Sequence, residues 1–220
     1  MRGFEVDHVI EDIESLNQRA FRGELEVTAV SCHAYAYLAD RYAVMRSGAS
    51  VGDQYGPILV QRTTHNAQRT EEENAERCTL RVARKKIAIP GKLTTAYLTL
   101  QLYSLTVARC ALRGFEPVFM PFDKILEAVA SGEVDMGLVI HEGQITFAEH
   151  GLDKALDLGA WWHERTGLPL PLGVDIIRRD LGQDVMRSFA ALFKESIESA
   201  WAHRREAVEY GHGDSENCPF

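Results

Sequence analysis

The chain lacks clusters of basic residues. Its 24 lysines and arginines are outnumbered by 32 aspartates and glutamates, which gives a formal net charge of -8. No stretch interleaves basic with aromatic side chains. Proteins that bind nucleic acid or an anionic membrane carry local positive potential. The sequence therefore argues against nucleic acid and membrane as partners, whereas a small anionic molecule could still bind at a helix N-terminus.

Cysteine is also scarce and has no pattern. No two cysteines have the close spacing of a zinc or redox motif; the four are Cys32, Cys78, Cys110 and Cys218. A disulfide framework is atypical of a chain of 220 residues, so a reducing cytoplasm is the expected compartment. We predict neither a metal site nor a disulfide.

Long apolar runs are absent as well. No uninterrupted run reaches the length that spans a bilayer, and residues 1–7 contain no apolar signal-peptide core. The prediction is a soluble protein that is not exported by the usual route. A hydrophobic content of 45% and a charged content of 25% are ordinary for globular domains, and the length suffices for one large or two small domains.

Strand-like and helix-like segments alternate along the chain, which predicts α/β architecture. Two strand-like crossings, residues 56–62 and 170–178, flank a central block. They predict two lobes, the second inserted into the first, with a cleft that encloses a small ligand. The predicted first lobe comprises residues 1–62 and 175–220, the second comprises 80–172, and residues 63–79 form a polar linker or surface loop.

Four local predictions follow from pattern and capping. Alternating apolar residues predict a half-buried strand over 4–10, and the glycines and serines of 46–52 predict a loop. Asp123 is predicted to cap the helix that follows it. A continuous apolar stripe predicts one long helix from Gln183 to Tyr210.

The segment from Gly132 to Gly143 contains the main candidate functional residue of the second lobe. A helical pattern ends at Gly132, a short apolar run from Met136 to Ile140 predicts a buried parallel strand, and His141 follows it. Ligands of open α/β sheets bind beyond the carboxyl ends of such strands, and histidine can transfer protons near neutral pH. On position alone, a histidine hydrogen-bonded at a strand edge is the commoner explanation.

A second candidate is the turn after residues 86–90. Pro90-Gly91 leads to Thr94-Thr95-Ala96, which begin a long helix. Threonine caps the orphan amides at such a position, and the same amides can hold a carboxylate or phosphate. The segment has no Walker sequence, so capping alone is the alternative interpretation.

Ser31-Cys32-His33 invites interpretation as a nucleophile site. The segment lacks the Gly-x-Ser-x-Gly turn that exposes a nucleophile, so a binding or structural role is favoured. Trp161-Trp162 is a further aromatic pair that could stack on a ligand, with buried packing expected for at least one of the two.

Several of these segments together resemble the 1,4-dihydroxy-6-naphthoate synthase family of the futalosine pathway of menaquinone biosynthesis. The similar segments extend from about residue 3 to 210 in family order; they include Glu11-Asp-Ile-Glu-Ser-Leu-Asn17, Val30-Ser31, Gly56-Pro57, Thr94-Thr95-Ala96-Tyr97 and Ile140-His-Glu142. The longest and most specific is Asp157-Leu-Gly-Ala-Trp-Trp162 with Thr166-Gly-Leu-Pro-Leu-Pro-Leu-Gly173.

The resemblance implies a two-lobed α/β fold similar to type II periplasmic binding proteins. It implies a lyase that converts cyclic dehypoxanthine futalosine to 1,4-dihydroxy-6-naphthoate, without metal or organic cofactor. It makes His141 the general base, and it assigns substrate contacts to Ala29, Val30, Ser31, Thr95 and Ala96. The sequence predicts no oligomeric state.

The family pattern is incomplete in this chain. The family's first strand with its Ser-Pro-Cys-Pro-Asn-Asp loop, and its last helices, have no counterpart here. An inactive, shortened relative is therefore one alternative. The other is a protein of the same fold that binds a small aromatic acid without converting it. A chorismate-dehydrating relative of the same fold is disfavoured by the Trp-Trp and Leu-Pro-Leu-Pro-Leu-Gly segments.

Overall fold

The computed structural model describes residues 3–63, 85–107, 112 and 114–216. Its contacts divide the chain into two compact units. Unit 1 comprises Met1–Ser50 and Gly173–Phe220, and unit 2 comprises Val51–Leu172. The chain passes from the first unit to the second within one strand, Tyr42–Gly52, and returns within another, Leu170–Arg178.

Unit 1 is built around a three-stranded sheet. Its elements are α1 (Ile13–Arg22), β1 (Val27–Ser31), α2 (Cys32–Leu38), β2 (Tyr42–Gly52), β8 (Leu170–Arg178), α7 (Gln183–Ala202) and α8 (Arg204–Glu216). The strand order is β1-β8-β2, and β1 runs antiparallel to β8. Asp12 begins α1 by accepting hydrogen bonds from the amides of Glu14 and Ser15, and Gly23 ends it with a φ of 73°.

Unit 2 is built around a five-stranded mixed sheet. Its elements are β3 (Ile58–Arg62), β4 (Lys86–Ile89), α3 (Thr95–Thr106), β5 (Glu116–Phe119), α4 (Ile125–Ser131), β6 (Met136–Val139), α5 (Gly143–Thr146), β7 (Leu152–Asp157) and α6 (Leu158–Thr166). The strand order is β5-β4-β6-β3-β7. Strands β5, β4 and β6 are parallel, and β3 is antiparallel to β6 and to β7.

Helices cover both faces of the unit 2 sheet. On one face, Ile125 and Val129 of α4 pack with Ile58 and Val60 of β3. On the other, Leu100 of α3 and Leu158 of α6 pack with residues such as Leu59 and Leu138. Successive strand residues point to opposite faces, so β3 contributes to both cores, and the apolar runs of these strands are explained by burial on both sides.

Three of the four local predictions are wrong, and the fourth, the long C-terminal helix, is confirmed except for one interruption. Residues 4–10 form no strand, and Val6, Val9 and Ile10 remain exposed. Residues 46–52 belong to β2 because they lie in the sheet beside β8, so tertiary pairing overrides their loop-like composition. Asp123 lies in a short 3-10 turn and pairs with Lys124 (3.3 Å), and no side chain caps α4.

The long C-terminal helix is divided in two. His203 interrupts it with a φ of -116° and a ψ of 46°. The stripe expected to face inward is only partly covered, because Ile197 is 42% exposed and Trp201 is 76% exposed.

The boundary between the lobes also differs at one element. The sequence-based division places residues 51–62 in the first lobe, whereas they fall in unit 2 because β3 pairs with β6 and β7. The predicted linker, 63–79, lies outside the described residues apart from Thr63. Within the described ranges, no helix has the length and apolar character of a membrane span.

Candidate functional site

Three parallel strands of unit 2 end at one edge of the sheet. In β4 and β6, Ile87 pairs with Met136 and Ala88 with Gly137, and β5 is held along β4 by a hydrogen bond from the Met120 amide to the Ile89 carbonyl (3.1 Å). Their carboxyl ends lead to the start of α3, to Phe122 and to His141. This is the edge at which open α/β sheets bind ligands.

His141 stands exposed at this edge. Its φ of 55° lies in the left-handed region, which is uncommon for a residue with a side chain. The imidazole packs edge-on against the ring of Phe122, with centroids 5.2 Å apart and an interplanar angle of 74°. The aromatic contact limits the directions in which an otherwise accessible ring can point.

The start of α3 is ordered by its two threonines. The Thr94 hydroxyl donates to the Gly91 carbonyl (2.9 Å) and accepts from the Tyr97 amide (3.2 Å), so Thr94 is the N-cap that the sequence predicts. The Thr95 hydroxyl donates to the Leu172 carbonyl (2.7 Å). Both hydroxyls therefore serve the structure of unit 2.

Thr95 and Ala96 offer little side-chain surface. They are 7% and 3% exposed, so their side chains have little surface with which to contact a ligand. An α-helix provides no internal partner for the amides of its first turn, and its dipole favours negative charge there. The dipole at the start of α3 therefore favours an anion nearby, whereas the two side chains offer little surface for contact.

Ala29, Val30 and Ser31 lie in unit 1, on β1. They pair with Asp175, Val174 and Gly173 of β8. Val30 is fully buried and Ser31 is 2% exposed, whereas Ala29 is half-buried. The side chain of Val30 therefore belongs to the core of unit 1.

Asn17 is a residue of this region that sequence reasoning missed. It is fully buried; its side-chain carbonyl accepts from the Ser31 amide (2.9 Å), and its Nδ2 donates to the Ser31 hydroxyl (3.1 Å). A signal was available, because Asn17 is a polar residue on the apolar stripe of α1, between Ile13 and Ala20. Asn17 fixes the end of β1 and the orientation of the Ser31 hydroxyl.

Cys32 begins α2 next to Ser31. Burial raises the pKa of the Cys32 thiol, which favours the neutral form over the nucleophilic thiolate. The geometry therefore agrees with a structural or binding role for residues 31–33.

The tryptophan pair is engaged within unit 2. Trp161 packs edge-on against Tyr103, with centroids 5.3 Å apart, and the indole N–H of Trp162 donates to the Pro169 carbonyl (3.2 Å). Trp161 also packs against the unit 2 core but is only partly buried, so the packing is confirmed whereas full burial is not.

Unit 1 contains a further half-buried titratable group, Asp175. The carboxylate lies against Gly48 of β2 and the ring of Phe193 in α7: a Cβ built on Gly48 would stand 1.7 Å from Asp175 Oδ2 and 2.8 Å from a Phe193 ring carbon. Burial raises the pKa of Asp175 to about 6. An apolar groove of about 640 Å³ runs nearby, between residues 4–10, β1 and α7.

Metal ligation finds no support in the part of the chain that the structure describes. There, no group of three or more histidine, cysteine, aspartate or glutamate side chains could hold a metal ion. The chemistry available at the unit 2 edge is that of an imidazole, backbone amides and aromatic surface.

Comparison with known proteins shows relatives along the whole described chain. The model of the menaquinone biosynthesis family matches residues 1–216. The 1,4-dihydroxy-6-naphthoate synthase of Thermus thermophilus is 42% identical over 205 residues, which cover 93% of this chain and 67% of that protein. The protein of the same name from Streptomyces coelicolor is 35% identical over 196 residues, covering 89% and 64%. The chain thus spans about two thirds of the length of these curated relatives.

Solved structures show the fold. An Archaeoglobus fulgidus protein, determined by X-ray crystallography, has 47% identity and a TM-score of 0.78, covering 96% of this chain and 72% of its own. The periplasmic aliphatic sulphonate binding protein of Escherichia coli has 12% identity and a TM-score of 0.55, covering 89% and 59%. A ligand-binding component of an import system from Staphylococcus aureus has 14% identity and a TM-score of 0.54, covering 80% and 56%.

These structures confirm the predicted two-lobed α/β fold of the periplasmic-binding-protein type. The family match over nearly the full length and the identity to two named synthases together establish the relationship. The chain belongs to the menaquinone biosynthesis family.

Proposed function

We propose that this protein is a lyase of menaquinone biosynthesis that converts cyclic dehypoxanthine futalosine to 1,4-dihydroxy-6-naphthoate, with His141 as the general base. The observation that carries the proposal is the exposed imidazole of His141 at the carboxyl edge of the β4–β6 sheet, in a chain 42% identical to a protein named for this product.

His141 suits the first chemical step. Cleavage of the carbon skeleton begins with removal of a proton from a C–H or O–H group of the substrate. An imidazole nitrogen can accept that proton, and a positioned base of this kind typically contributes about 10²–10⁴-fold. The exposure of His141 leaves the ring accessible to substrate, and the contact with Phe122 holds its orientation.

We assign binding of the substrate carboxylate to the start of α3. Its backbone amides at Thr95 and Ala96 bind the substrate carboxylate, because the helix N-terminus favours an anion. The hydroxyl of Thr95 already donates to Leu172, so this role falls to the main chain. An acidic protein with a formal net charge of -8 can in this way bind an anionic substrate without a basic cluster.

Unit 1 supplies the remaining proposed contacts, at Ala29, Val30 and Ser31. The Ser31 hydroxyl accepts from Asn17 and can donate its own proton to a substrate oxygen. Val30 is fully buried, so its contribution is a backbone one. The partner that we propose is a small-molecule substrate, and we propose that the reaction needs no cofactor. The cytoplasmic location inferred from the cysteine pattern remains a prediction.

The test is direct incubation of the chain with cyclic dehypoxanthine futalosine while naphthoate absorbance is followed. We expect product formation, and His141→Ala should lower turnover about a hundredfold or more. His150→Ala is the matched control, since His150 is also an exposed histidine of unit 2, and it should retain wild-type turnover.

Two results would count against the proposal. Unchanged turnover in His141→Ala would remove the base assignment. Saturable binding in calorimetry without product would instead identify a binding protein of the same fold, and its affinity should then be indifferent to His141→Ala.

A further inference from the structure

The backbone of His141 is held in an uncommon conformation. A φ of 55° for a residue with a side chain costs conformational energy, and such a residue persists where its neighbours over-determine it. The residues that hold this backbone conformation therefore also determine the position of the His141 Cβ, from which the imidazole extends.

Gln144 binds both polar groups of the His141 backbone. Its own amide donates to the His141 carbonyl (3.1 Å). Its side chain, in the orientation that satisfies both atoms of the amide, accepts from the His141 N–H (3.3 Å) through oxygen. One residue of α5 thereby closes a ring of hydrogen bonds around His141.

The other end of the Gln144 side chain is anchored on the neighbouring strand connection. Its nitrogen donates to the Gly56 carbonyl. Gly56 packs closely against the start of α6, because a Cβ on Gly159 would stand 2.0 Å from the Tyr55 carbonyl carbon and 2.2 Å from the Gly56 nitrogen. The two backbones are thus in contact, and the Leu158 amide donates to the Pro57 carbonyl alongside (3.0 Å).

Backbone contacts and hydrogen bonds therefore connect the start of α6 through Gly56 and Gln144 to His141. We propose that Gln144 is a positioning residue for the imidazole of His141. Gln144 fixes the backbone from which the His141 side chain extends, and Phe122 restricts the orientation of the ring. This inference rests on the proposed role of His141 as base. Gln144 acts through His141 and needs no contact with substrate.

Positioning predicts a specific kinetic signature. Gln144→Ala should lower kcat about tenfold to a hundredfold, because a misplacement of about 1 Å can cost a hundredfold, while KM stays within about twofold because no binding contact is lost. Thr146→Ala is the matched control: it removes a side-chain bond to the Glu142 carbonyl beside the same short helix and leaves the three Gln144 hydrogen bonds intact. It should retain wild-type kcat.

A second variant keeps the volume of the side chain. Gln144→Glu still accepts from the His141 N–H, but the ionised carboxylate cannot donate to the Gly56 carbonyl. Its kcat relative to wild type should be low at pH 8 and should rise as pH falls and the carboxyl group gains a proton. A residue needed only for folding would give no such pH-dependent ratio.

The outcomes separate the two proposals. If His141→Ala abolishes turnover while Gln144→Ala and Gln144→Glu keep wild-type kcat, the positioning role is wrong and the base assignment stands. If His141→Ala keeps full turnover, the base assignment is wrong. Hydrogen exchange of the His141 amide gives a reading without activity: Gln144→Ala should accelerate it about tenfold or more, and unchanged exchange overturns the inference.

Discussion

Asn17 and Ser31 exchange two buried hydrogen bonds. The Asn17 side-chain carbonyl accepts from the Ser31 amide at 2.9 Å and its Nδ2 donates to the Ser31 hydroxyl at 3.1 Å. One side chain on α1 thereby satisfies both the backbone and the side chain at the junction of β1 and α2. The junction carries Ser31, which we propose contacts the substrate. A change in its geometry should therefore affect both the stability of the protein and substrate binding.

We expect Asn17→Ala to lower the free energy of unfolding by about 1–3 kcal/mol. The substitution leaves the Ser31 amide buried without its partner, and an unsatisfied buried group costs about 1–3 kcal/mol. Urea denaturation measures the loss. Gln18→Ala, at an exposed neighbour whose side chain donates to Glu14, should change stability by about 0.5 kcal/mol or less; an equal effect in both variants would contradict the importance of the Asn17–Ser31 pair.

Asp175 should make the protein less stable as pH rises from about 4 to 6. Burial raises the folded-state pKa from 3.8 to about 6, so the native state binds the proton more tightly than the unfolded chain does. The cost of ionisation is absent at low pH, develops through this window and is complete at neutral pH.

Asp175→Asn should therefore stabilise the protein at pH 7 by about 1–2 kcal/mol and have little effect near pH 4. A pKa difference of one corresponds to about 1.4 kcal/mol, and partial solvent contact reduces the effect. Denaturant midpoints of both proteins at pH 4, 5, 6 and 7 provide the measurement. Asp184→Asn, at an exposed carboxylate of α7, is the control for loss of charge, and a gain of the same size there would remove Asp175 as the cause.

Gly159, in the first turn of α6, and Gly167, just after its end, should differ in their response to alanine. Gly159→Ala places a methyl group 2.0 Å from the Tyr55 backbone, so we expect a loss of about 3 kcal/mol or displacement of the 55–56 turn. Gly167 has open space around its Cβ position but a φ of 68°, so Gly167→Ala should cost only about 1 kcal/mol. Thermal denaturation measures the loss of stability in each variant. Equal losses would show that the close backbone contact at Gly159 does not determine the cost of the added methyl group.

Thr95→Val should destabilise unit 2 by about 1–2 kcal/mol. Valine keeps the volume but removes the donor to the Leu172 carbonyl, a 2.7 Å bond at a position that is 7% exposed. Thr106→Val at the exposed end of the same helix removes a bond to the Leu102 carbonyl and should cost about 0.5 kcal/mol or less. Chemical denaturation distinguishes the two, and similar losses would contradict the weight given to burial.

The parts of the site that sequence predicts best are those set by local chemistry. A short apolar strand before His141 and a threonine N-cap after Pro90-Gly91 each depend on a few adjacent residues, and both appear as expected at β6 and at the start of α3. The parallel pairing of β4 with β6 then brings them to one edge.

The parts that sequence misses depend on distant partners. Residues 46–52 contain loop-forming glycine and serine, yet they belong to β2 because β8 lies beside them. Residues 4–10 alternate like a strand but form none. The hydrogen bonds of Gln144 connect His141 with Gly56, which is far away in the chain. A local sequence pattern does not predict such a contact.

The antiparallel placement of β3 has a consequence for biosynthesis of the chain. Ile58–Arg62 lies between β6 and β7, and both of these partners emerge from the ribosome long after it. Until then the apolar segment Ile58-Leu-Val60 has no strand to pair with, and unpaired apolar strands are prone to association during folding. Long-range pairing of this kind also slows folding, so we expect β3 to be prone to association in the nascent chain until β6 and β7 are available to pair with it.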